Sequence, residues 1–550
     1  MRYALTAAAA RSTLLNNRPR CARLSIQMSA CLAIVIALPA IPRVALGATT
    51  DVAGTIHEDT LWSGQVVVTG DVRIIGATVR VEPGSTIQFV PPTAATFGPR
   101  IQLATPSFAR DRQTPSARLI LAGTRERPIV VETLPGKPPG AIVAEASTRG
   151  SVIARHVTFR RLGPPLSTQL ANPAIRLQLT APDNDLWLED CRFESCGPVQ
   201  AEFFGPGAGA HIEQCTFANT AGRTALVLTG AGSGLKIVLD NIADAAFQIE
   251  CPQVLIQRNV LIGQLASIAI PTASPHAVWI DGNYIHCTAT EDDGRYVLKC
   301  ETAEAVVTRN LLIGGTYVIE TAPRTVAANI LIGVAGLRAR FDLPGFKAQL
   351  RESTTSTHYL VANLPPRAVL TDNYFVGPAY AAVATSTSAS LPAGQRAEEP
   401  TIEHNFFDGW GAARRAVHFN LLAPETLRAA LTHNVIVRYL SAPVCDQAAK
   451  PDTLAKVGPN LFAEVPQPAY EKVANVTDLA PGDRRLAGFD QLGLEPSPGT
   501  QPAGSLDESL AARRLTVAQA RQQWLAAYRP RPDSPLAAED PAARLGPRPQ

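Results

Sequence analysis

The sequence predicts an all-β protein: a parallel β-helix, or solenoid, with an asparagine ladder and a C-terminal helical tail. Nearly the same ten residues occur as VLIQRNVLIG (Val254–Gly263), VVTRNLLIGG (Val306–Gly315) and TVAANILIGV (Thr325–Val334). Apolar and polar residues alternate in these copies, which favours a strand over a helix. Glycine (39) and proline (45) are plentiful, as a chain with many turns requires, and there are only two methionines.

The repeat is centred on an asparagine, which two early copies replace with cysteine. The clear copies centre on Cys191, Cys215, Asn259, Asn283, Asn310, Asn329, Asn373, Asn405 and Asn434, and a weaker copy surrounds Asn241. Most intervals between centres suit one short coil. Coils stack at the strand spacing of about 4.8 Å, so that aligned amides can hydrogen-bond along the stack. The repeat therefore indicates one turn signal per coil.

Residues 1–48 are predicted to be a secretory signal peptide. Arg18, Arg20 and Arg23 precede an uncharged run of 13 residues, Ala30–Pro42, and small residues follow at Ala45–Ala48. That run is too short to span a bilayer, so no stable membrane span is expected after signal removal; an uncleaved anchor is the alternative. Cleavage would change the formal net charge from +3 to −3, because it removes six arginines. A secreted or cell-envelope location (periplasm or outer surface) is predicted, and nucleic acid is disfavoured as a partner.

Residues 49–135 are predicted to form an N-terminal cap and the first coils. They contain Trp62-Ser63-Gly64, then Val79–Ser85 (VRVEPGS), then Gly123-Thr124 with Pro128-Ile129. These motifs resemble the opening coils of bacterial right-handed parallel β-helix proteins of the pectin-lyase-like superfamily. The resemblance, with the ladder, covers about three-quarters of the chain and implies a right-handed β-helix. It implies no single activity, because the fold carries lyases, hydrolases, epimerases and non-catalytic surface proteins.

Residues 136–465 are predicted to be the main parallel β-helix, and residues 466–550 a linker with a C-terminal capping helix and tail. The segment Thr516–Tyr528 predicts a helix, because Thr516 and Gln519 have the spacing of a capping box. We expect this helix to cover the last coil, since the end of a solenoid must be shielded; a partner-binding helix is the alternative.

The mature chain would hold seven of the nine cysteines, an odd number. Cys191 and Cys215 occupy ladder positions in adjacent coils and are predicted to be buried thiols. Cys287 and Cys300 bracket a polar loop, so a disulfide across its base and two buried thiols are both open interpretations.

That polar loop, Thr288–Lys299, is the densest charged cluster of the coil region, and loops on a rigid solenoid often carry function. The resemblance implies that a lyase of this fold uses Arg or Lys as the base and stacked acids for Ca²⁺. Calcium is therefore a candidate cofactor, although an ordinary solvated turn explains the same residues. The candidate catalytic residues are His286, Asp292, Asp293, Arg295 and Lys299.

Two functions from different classes follow. One is an exported carbohydrate-active protein, a lyase-like enzyme on an acidic polysaccharide. The other is a non-catalytic envelope or extracellular protein that binds carbohydrate or serves as structure. The G-H-G and R-I-K motifs of glycosidases with this fold are absent.

His404 and His433 precede ladder asparagines in consecutive copies, which indicates either a weak metal pair or two solvated turn residues. The sequence leaves the oligomeric state open.

Overall fold

The computed structural model describes most of the chain after residue 48. The described residues are 49–91, 98–105, 116–144, 150–163, 172–180, 185–271, 277–288, 296–302, 304–320, 323–334, 340–343, 346–349, 357–364, 367–385, 400–419, 429–447, 454–474, 476–495, 506–537 and 544–548. The predicted signal peptide lies outside them. Among the described residues, no helix has both the length and the apolar composition needed to cross a membrane.

The protein is a parallel β-helix. Each coil contributes strands to parallel ladders that run the length of the solenoid, and each strand pairs with the equivalent strands of neighbouring coils. We name the three ladders sheets 1, 2 and 3, in the order in which the chain visits them. The long strand Gln65–Ile75 pairs with the first strands of both sheet 2 and sheet 3, and also with Thr50–Ile56.

Sheet 1 holds the strand before each ladder residue. Its strands are Thr60–Trp62, Thr78–Val81, Ala117–Ala122, Gly150–Arg155, Asp185–Glu189, Gly209–Glu213, Lys236–Leu239, Val254–Gln257, Val278–Asp281, Ala305–Thr308, Thr325–Ala327, Val369–Thr371, Thr401–Glu403, Ala429–Thr432 and Leu454–Val457. Sheet 2 holds the strand after it. Its strands are Thr86–Phe89, Ile129–Thr133, Val157–Arg160, Arg192–Glu194, Thr216–Ala218, Ile242–Ala243, Val260–Gly263, Tyr284–Cys287, Leu311–Gly314, Ile330–Ile332, Tyr374–Val376, Phe406–Asp408, Val435–Val437, Leu461–Ala463 and Arg484–Leu486.

Sheet 3 completes each coil. Its strands are Arg100–Ala104, Ala141–Ala144, Ile175–Leu179, Val199–Phe203, Thr224–Thr229, Ala246–Glu250, Ile268–Ile270, Tyr296–Cys300, Tyr317–Ile319, Tyr359–Leu364, Ala381–Thr385, Arg415–Phe419, Val444–Asp446 and Tyr470–Glu471. A separate antiparallel hairpin joins Arg340–Leu343 and Phe346–Gln349.

The interior is a column of in-register apolar side chains. In Val254–Gln257, for example, Val254 and Ile256 point inward and pair in register with Val278 and Ile280 of the next coil. Phenylalanines stack the same way, with the Phe159 and Phe193 ring centroids 4.7 Å apart. Burial of each side chain of this size stabilises the folded state by about 1.5–3 kcal/mol. The stabilisation from burial therefore increases with every added coil.

The ladder asparagines are fully buried where sheet 1 turns into sheet 2. The side-chain oxygen of Asn310 accepts hydrogen bonds from the backbone N–H of Asn283 (2.8 Å) and from its amide (2.9 Å). The Asn310 amide in turn donates to Asn329 Oδ1 and to the carbonyls of Ile280 and Thr308, each at 2.9 Å. Equivalent bonds continue the column from Asn241 to Asn460.

The residue before each ladder position from Cys191 to Asn434 adopts a left-handed backbone conformation. Arg258, Arg309 and His433 have φ of 54°, 55° and 57°. This conformation turns the chain sharply between sheets 1 and 2, and the buried amide of the following residue holds the turn against its intrinsic strain.

The C-terminal region forms a 3₁₀ turn at Phe489–Leu492 and two helices, α1 (Leu506–Ala511) and α2 (Val517–Ala526). Helix α2 begins with the predicted capping box, because Thr516 accepts from the Gln519 backbone and Gln519 accepts from the Thr516 backbone. We call residues 487–495, 506–537 and 544–548 the C-terminal strap.

The strap lies along the outer face of sheet 2, not over the last coil as expected. Its apolar side chains share one buried cluster with outward-facing residues of sheet 2. Polar contacts fix its course along the solenoid: Arg513 donates to the Gln214 carbonyl, Tyr528 to Asp408, and the Gly546 amide to the His433 carbonyl. The structure departs from this expectation because sheet 2 has an apolar outer surface, against which the apolar residues of the strap are buried.

The described cysteines are all free and buried, including Cys191 and Cys215 as predicted. The proposed disulfide between Cys287 and Cys300 is not formed. The Cys287 thiol faces the Gln264 carbonyl at 3.4 Å, and the Cys300 thiol faces the Thr302 carbonyl at 4.0 Å. The two cysteines end strands of different sheets, and each thiol points to its own backbone acceptor.

Candidate functional site

His286 lies on the outer face of sheet 2, fully buried beneath α1. Its Nδ1 is 2.9 Å and 3.1 Å from the two carboxylate oxygens of Asp507, which also accepts a 2.6 Å hydrogen bond from the Tyr284 hydroxyl. His286 therefore joins the β-helix to the strap through Asp507, and its catalytic role stays a prediction.

Lys299 lies on a different surface, the outer face of sheet 3, so the structure does not bring it together with His286. The other three candidates, Asp292, Asp293 and Arg295, lie outside the described residues and stay predictions. Of the two candidates that the structure describes, Lys299 is the one that lines an open site.

The outer face of sheet 3 carries an in-register column of polar and small side chains. One residue per coil contributes: Arg176, Gln200, Val227, Gln248, Ala269 and Lys299. A parallel column runs through Gln178, Glu202, Thr229 and Glu250. Within it, the Gln178 amide donates to Glu202 at 2.9 Å. The amides donate and accept hydrogen bonds and the carboxylates accept them, as an array of sugar hydroxyls requires.

A groove of about 460 Å³ opens on this face; we call it the sheet 3 groove. Small residues such as Ala246, Ser267 and Ala269 line it beside polar ones. The remaining described lining residues are Arg223, Thr224, Gln248, Glu250, Leu265, Pro271, Cys287, Tyr296 and Lys299. The combination of small residues with polar and cationic ones suits an extended chain that lies across several coils.

Lys299 places a positive charge in this groove. Its Nζ lies 3.2 Å from Glu301 and 3.5 Å from Glu320. Burial would lower the pKa of Lys299, but the hydrogen bond to Glu301 and the charges of both glutamates outweigh burial, so its pKa is raised. A lysine acts as a general base only when it is deprotonated at the working pH, so Lys299 suits a carboxylate clamp better than a base.

Tyrosines extend the site along the solenoid. Tyr296, Tyr317 and Tyr359 pair in register in three successive coils. The rings of Tyr317 and Tyr359 stack at 6.0 Å, and Tyr380, which is 39% exposed, meets Tyr359 edge-on. Aromatic rings with one exposed surface provide apolar platforms for the faces of sugar rings.

His404 and His433, for which the sequence left a weak metal pair and two solvated turn residues open, stack with ring centroids 4.9 Å apart. His404 is buried, which departs from the exposed turn position expected for it. Across the described part of the chain, no group of three or more His, Cys, Asp or Glu side chains is arranged to hold a metal ion. The two imidazole rings pack against each other beside the strap.

We expect protonation of this stack to destabilise the fold. Burial, followed by the neighbouring charges of His404 and Lys456, lowers the pKa of His433, while Glu403 opposes the shift. The unfolded chain then binds more protons than the folded protein, so stability falls as pH drops from above 6.5 through the lowered pKa. Thermal unfolding between pH 7.5 and 5 should show a falling melting temperature, and His433→Gln should reduce that fall. His57→Gln, at an exposed position, should leave the fall unchanged; an equal reduction in both variants would contradict the assignment.

A further pattern in the sequence indicates that the outer face of sheet 2 is buried. The three residues after each ladder asparagine are often continuously apolar, as in Val260–Ile262 and Leu311–Ile313. Such runs are typical of strands buried on both faces. Leu261 and Leu312 face the interior, while their neighbours face the strap. The tyrosine column, by contrast, follows no ladder residue at a constant spacing, so the repeat pattern did not reveal it.

Comparisons with known proteins assign no family to the chain. No family model matches the sequence, and no curated protein matches it. Among solved structures, the chain is similar to a PL6 alginate lyase in complex with a trisaccharide, at 10% identity and a TM-score of 0.26. That match covers 69% of this chain and 85% of the lyase chain. At this identity and TM-score, no residue of this chain takes a role from the lyase.

Proposed function

We propose that this protein is an exported carbohydrate-active β-helix that acts on an acidic polysaccharide held along the outer face of sheet 3. The observation that carries the proposal is the persistent cation of Lys299, set in an open groove that continues into the column of Tyr296, Tyr317 and Tyr359. A uronate chain needs a cation opposite a carboxylate, hydroxyl-binding amides and apolar platforms, and this face presents all three.

Within this proposal, Lys299 neutralises a uronate carboxylate. Neutralising that charge acidifies the adjacent C–H bond, which is the step that a lyase must promote before β-elimination. The base is assigned to a residue other than Lys299, because the pKa of Lys299 is raised. Arg295, Asp292 and Asp293, seven or fewer residues before Lys299 in the chain, remain the proposed partners in this chemistry.

A non-catalytic carbohydrate-binding protein is the second candidate. It is favoured by the pairing of Lys299 with Glu301 and Glu320, which keeps the lysine protonated and so suits it to binding a carboxylate rather than to removing a proton. A binding protein would use the same groove and the same tyrosines.

The test uses the purified mature protein with a panel of uronate-containing polysaccharides, with and without Ca²⁺. Ultraviolet absorbance of the unsaturated product reports β-elimination, reducing ends report hydrolysis, and affinity electrophoresis reports binding. Absorbance supports a lyase, and reducing ends without absorbance indicate a hydrolase. Binding without either signal supports the second candidate. Absence of all three signals would contradict the proposal.

We expect Lys299→Gln to weaken binding of uronate polysaccharides by about tenfold or more, because a charge-assisted hydrogen bond to the carboxylate is lost. Binding of a neutral polysaccharide, if any is bound, should change much less. Tyr317→Ala should weaken both. Lys137→Ala, an exposed lysine in a turn, is the matched control and should leave affinity unchanged. An unchanged affinity in Lys299→Gln would exclude the clamp.

A further inference from the structure

The outer face of sheet 1 carries a continuous apolar stripe. The central outward-facing side chain of each strand contributes to it, and these side chains pair in register from coil to coil. The stripe begins at Ile120, ends at Val306 and crosses eight consecutive strands of sheet 1. We call it the sheet 1 stripe. Trp279, within it, is 41% exposed, and Leu235, beside it, is 44% exposed.

The sheet 1 stripe differs from the other two outer faces of the solenoid. Sheet 2 buries its apolar outer side chains under the strap, and sheet 3 carries polar columns. Single exposed apolar side chains are common on soluble proteins, whereas contiguous apolar patches mark interaction surfaces. His211 does not interrupt the stripe, because its ring stacks on Trp187 with centroids 4.2 Å apart and is held by Glu213 at 2.8 Å.

We propose that the sheet 1 stripe is the interface of a homodimer, in which two copies of this chain pack face to face with their coils in opposite order. A two-fold axis that runs along the strands, between His211 and Ile237, gives this arrangement, and every contact then occurs twice. Trp187 lies one coil before His211, and Leu255 lies one coil after Ile237. The axis therefore places Trp187 opposite Leu255 of the second copy.

The same axis pairs the outer members of the stripe. Ile153, the next residue towards one end, lies opposite Trp279, the next towards the other end. Ile120 and Val306 lie opposite each other at the two ends. Both tryptophans thus pack against aliphatic side chains, so that the dimer buries the largest apolar surfaces of the stripe.

The charges beside the stripe fit this reversed order of coils. Arg118 lies two residues before Ile120, and the exposed Glu304 lies two residues before Val306, so both flank the same edge of the stripe. Reversal of the coils brings Arg118 opposite Glu304 of the second copy. The two-fold axis repeats this pair of opposite charges at the other end of the interface.

Coils in the same order would not fit. In that arrangement Glu189 would lie opposite Asp185 of the second copy, and like charges across an interface oppose association. The reversed order instead places Glu189 opposite Gln257 and Glu213 opposite Leu239. The charge pattern therefore selects the reversed order.

The size of the face also fits a dimer. Eight strands at a spacing of about 4.8 Å span about 34 Å, and strands of four to six residues are about 13–20 Å long. The flat projection of the face is on the order of 600 Å², and side-chain relief brings its accessible area near the roughly 800 Å² per partner of a stable interface. The sheet 3 groove lies on a different face, so both copies keep it open.

The experiment measures the mass of the full mature chain by sedimentation equilibrium over a range of concentrations. We expect an equilibrium between monomer and dimer. Trp279→Glu should raise the dimer dissociation constant about tenfold or more, because it places a charge in an apolar contact. Leu440→Glu is the matched control, because Leu440 is 60% exposed outside the stripe, and it should leave the constant unchanged. Leu235→Glu probes the same interface should Trp279→Glu fail to fold.

A charge swap tests the order of the coils. Arg118→Glu should weaken the dimer several-fold, and Glu304→Arg added to the same chain should restore it, because opposite charges then meet again. A protein that stays monomeric at every concentration, equal weakening by Trp279→Glu and Leu440→Glu, or a swap without rescue would overturn the proposal. If a monomeric protein lost polysaccharide binding in Trp279→Glu, the stripe would be a glycan surface instead.

Discussion

Replacement of Asn310 by alanine is expected to cost about 3–5 kcal/mol of unfolding free energy. The substitution removes the side-chain oxygen that accepts from the backbone N–H and the amide of Asn283, both of which are buried. It also leaves the carbonyls of Ile280 and Thr308 without the Asn310 amide. Each buried polar group deprived of its partner costs about 1–3 kcal/mol. Urea unfolding followed by circular dichroism should show a lower midpoint.

Arg309→Ala is the matched control for this prediction. Arg309 sits at the adjacent turn position, with a side chain 55% exposed, and the next coil has Ala328 there with the same left-handed backbone. Loss of an exposed ion pair costs about 1 kcal/mol or less. Asp281 is buried but keeps two other side-chain hydrogen bonds, so the cost should stay below that of Asn310→Ala. If Asn310→Ala destabilised the protein no more than Arg309→Ala, the ladder would not be the element that holds the coils in register.

Replacement of Asp507 by alanine is expected to release the strap from sheet 2. Asp507 is 1% exposed and is bonded to Tyr284 and His286, which are both fully buried. Removal of one partner from a buried, hydrogen-bonded cluster of this kind costs about 3–5 kcal/mol. Hydrogen exchange and limited proteolysis should report faster exchange and new cleavage within residues 506–537. The uncovered apolar face of sheet 2 should also promote aggregation.

Asp533→Ala serves as the control, because Asp533 lies in the same strap with a side chain that is 75% exposed. It should leave exchange and cleavage near those of the unaltered protein. If His286 is catalytic and does not anchor the strap, Asp507→Ala should lose activity while hydrogen exchange and proteolysis of the strap stay unchanged. Unchanged protection of residues 506–537 would therefore contradict the anchoring role and return His286 to the catalytic candidates.

Most of the solenoid was predictable because its rules are local and repeat. The asparagine at each centre, the Ile, Val or Leu three residues before it and the apolar residue two after it mark one coil each. The same spacing in neighbouring coils then produces in-register pairing, as between Val254 and Val278. The capping box at Thr516 was equally local, since Thr516 and Gln519 act within one helical turn.

The site was predictable only in part. The high density of charge in its loop predicts that Lys299 is a site residue, and in the structure Lys299 lines an open groove. His286 was grouped with it because the two are close in sequence, yet strand Tyr284–Cys287 belongs to sheet 2 and strand Tyr296–Cys300 to sheet 3. Proximity in sequence does not place two side chains on one face when a turn between sheets separates them.

The sequence by itself determined the coil, the ladder and the start of α2, because each depends on residues a few positions apart. The tertiary structure alone decided which face of the solenoid the strap covers, and hence that His286 is buried and Lys299 open. It also decided that Arg513 meets the β-helix beside Gln214, 299 residues earlier in the chain. These contacts depend on how much apolar area the strap buries on one face of the solenoid compared with another. No short pattern of residues encodes that difference, because the contacting residues are far apart in the sequence.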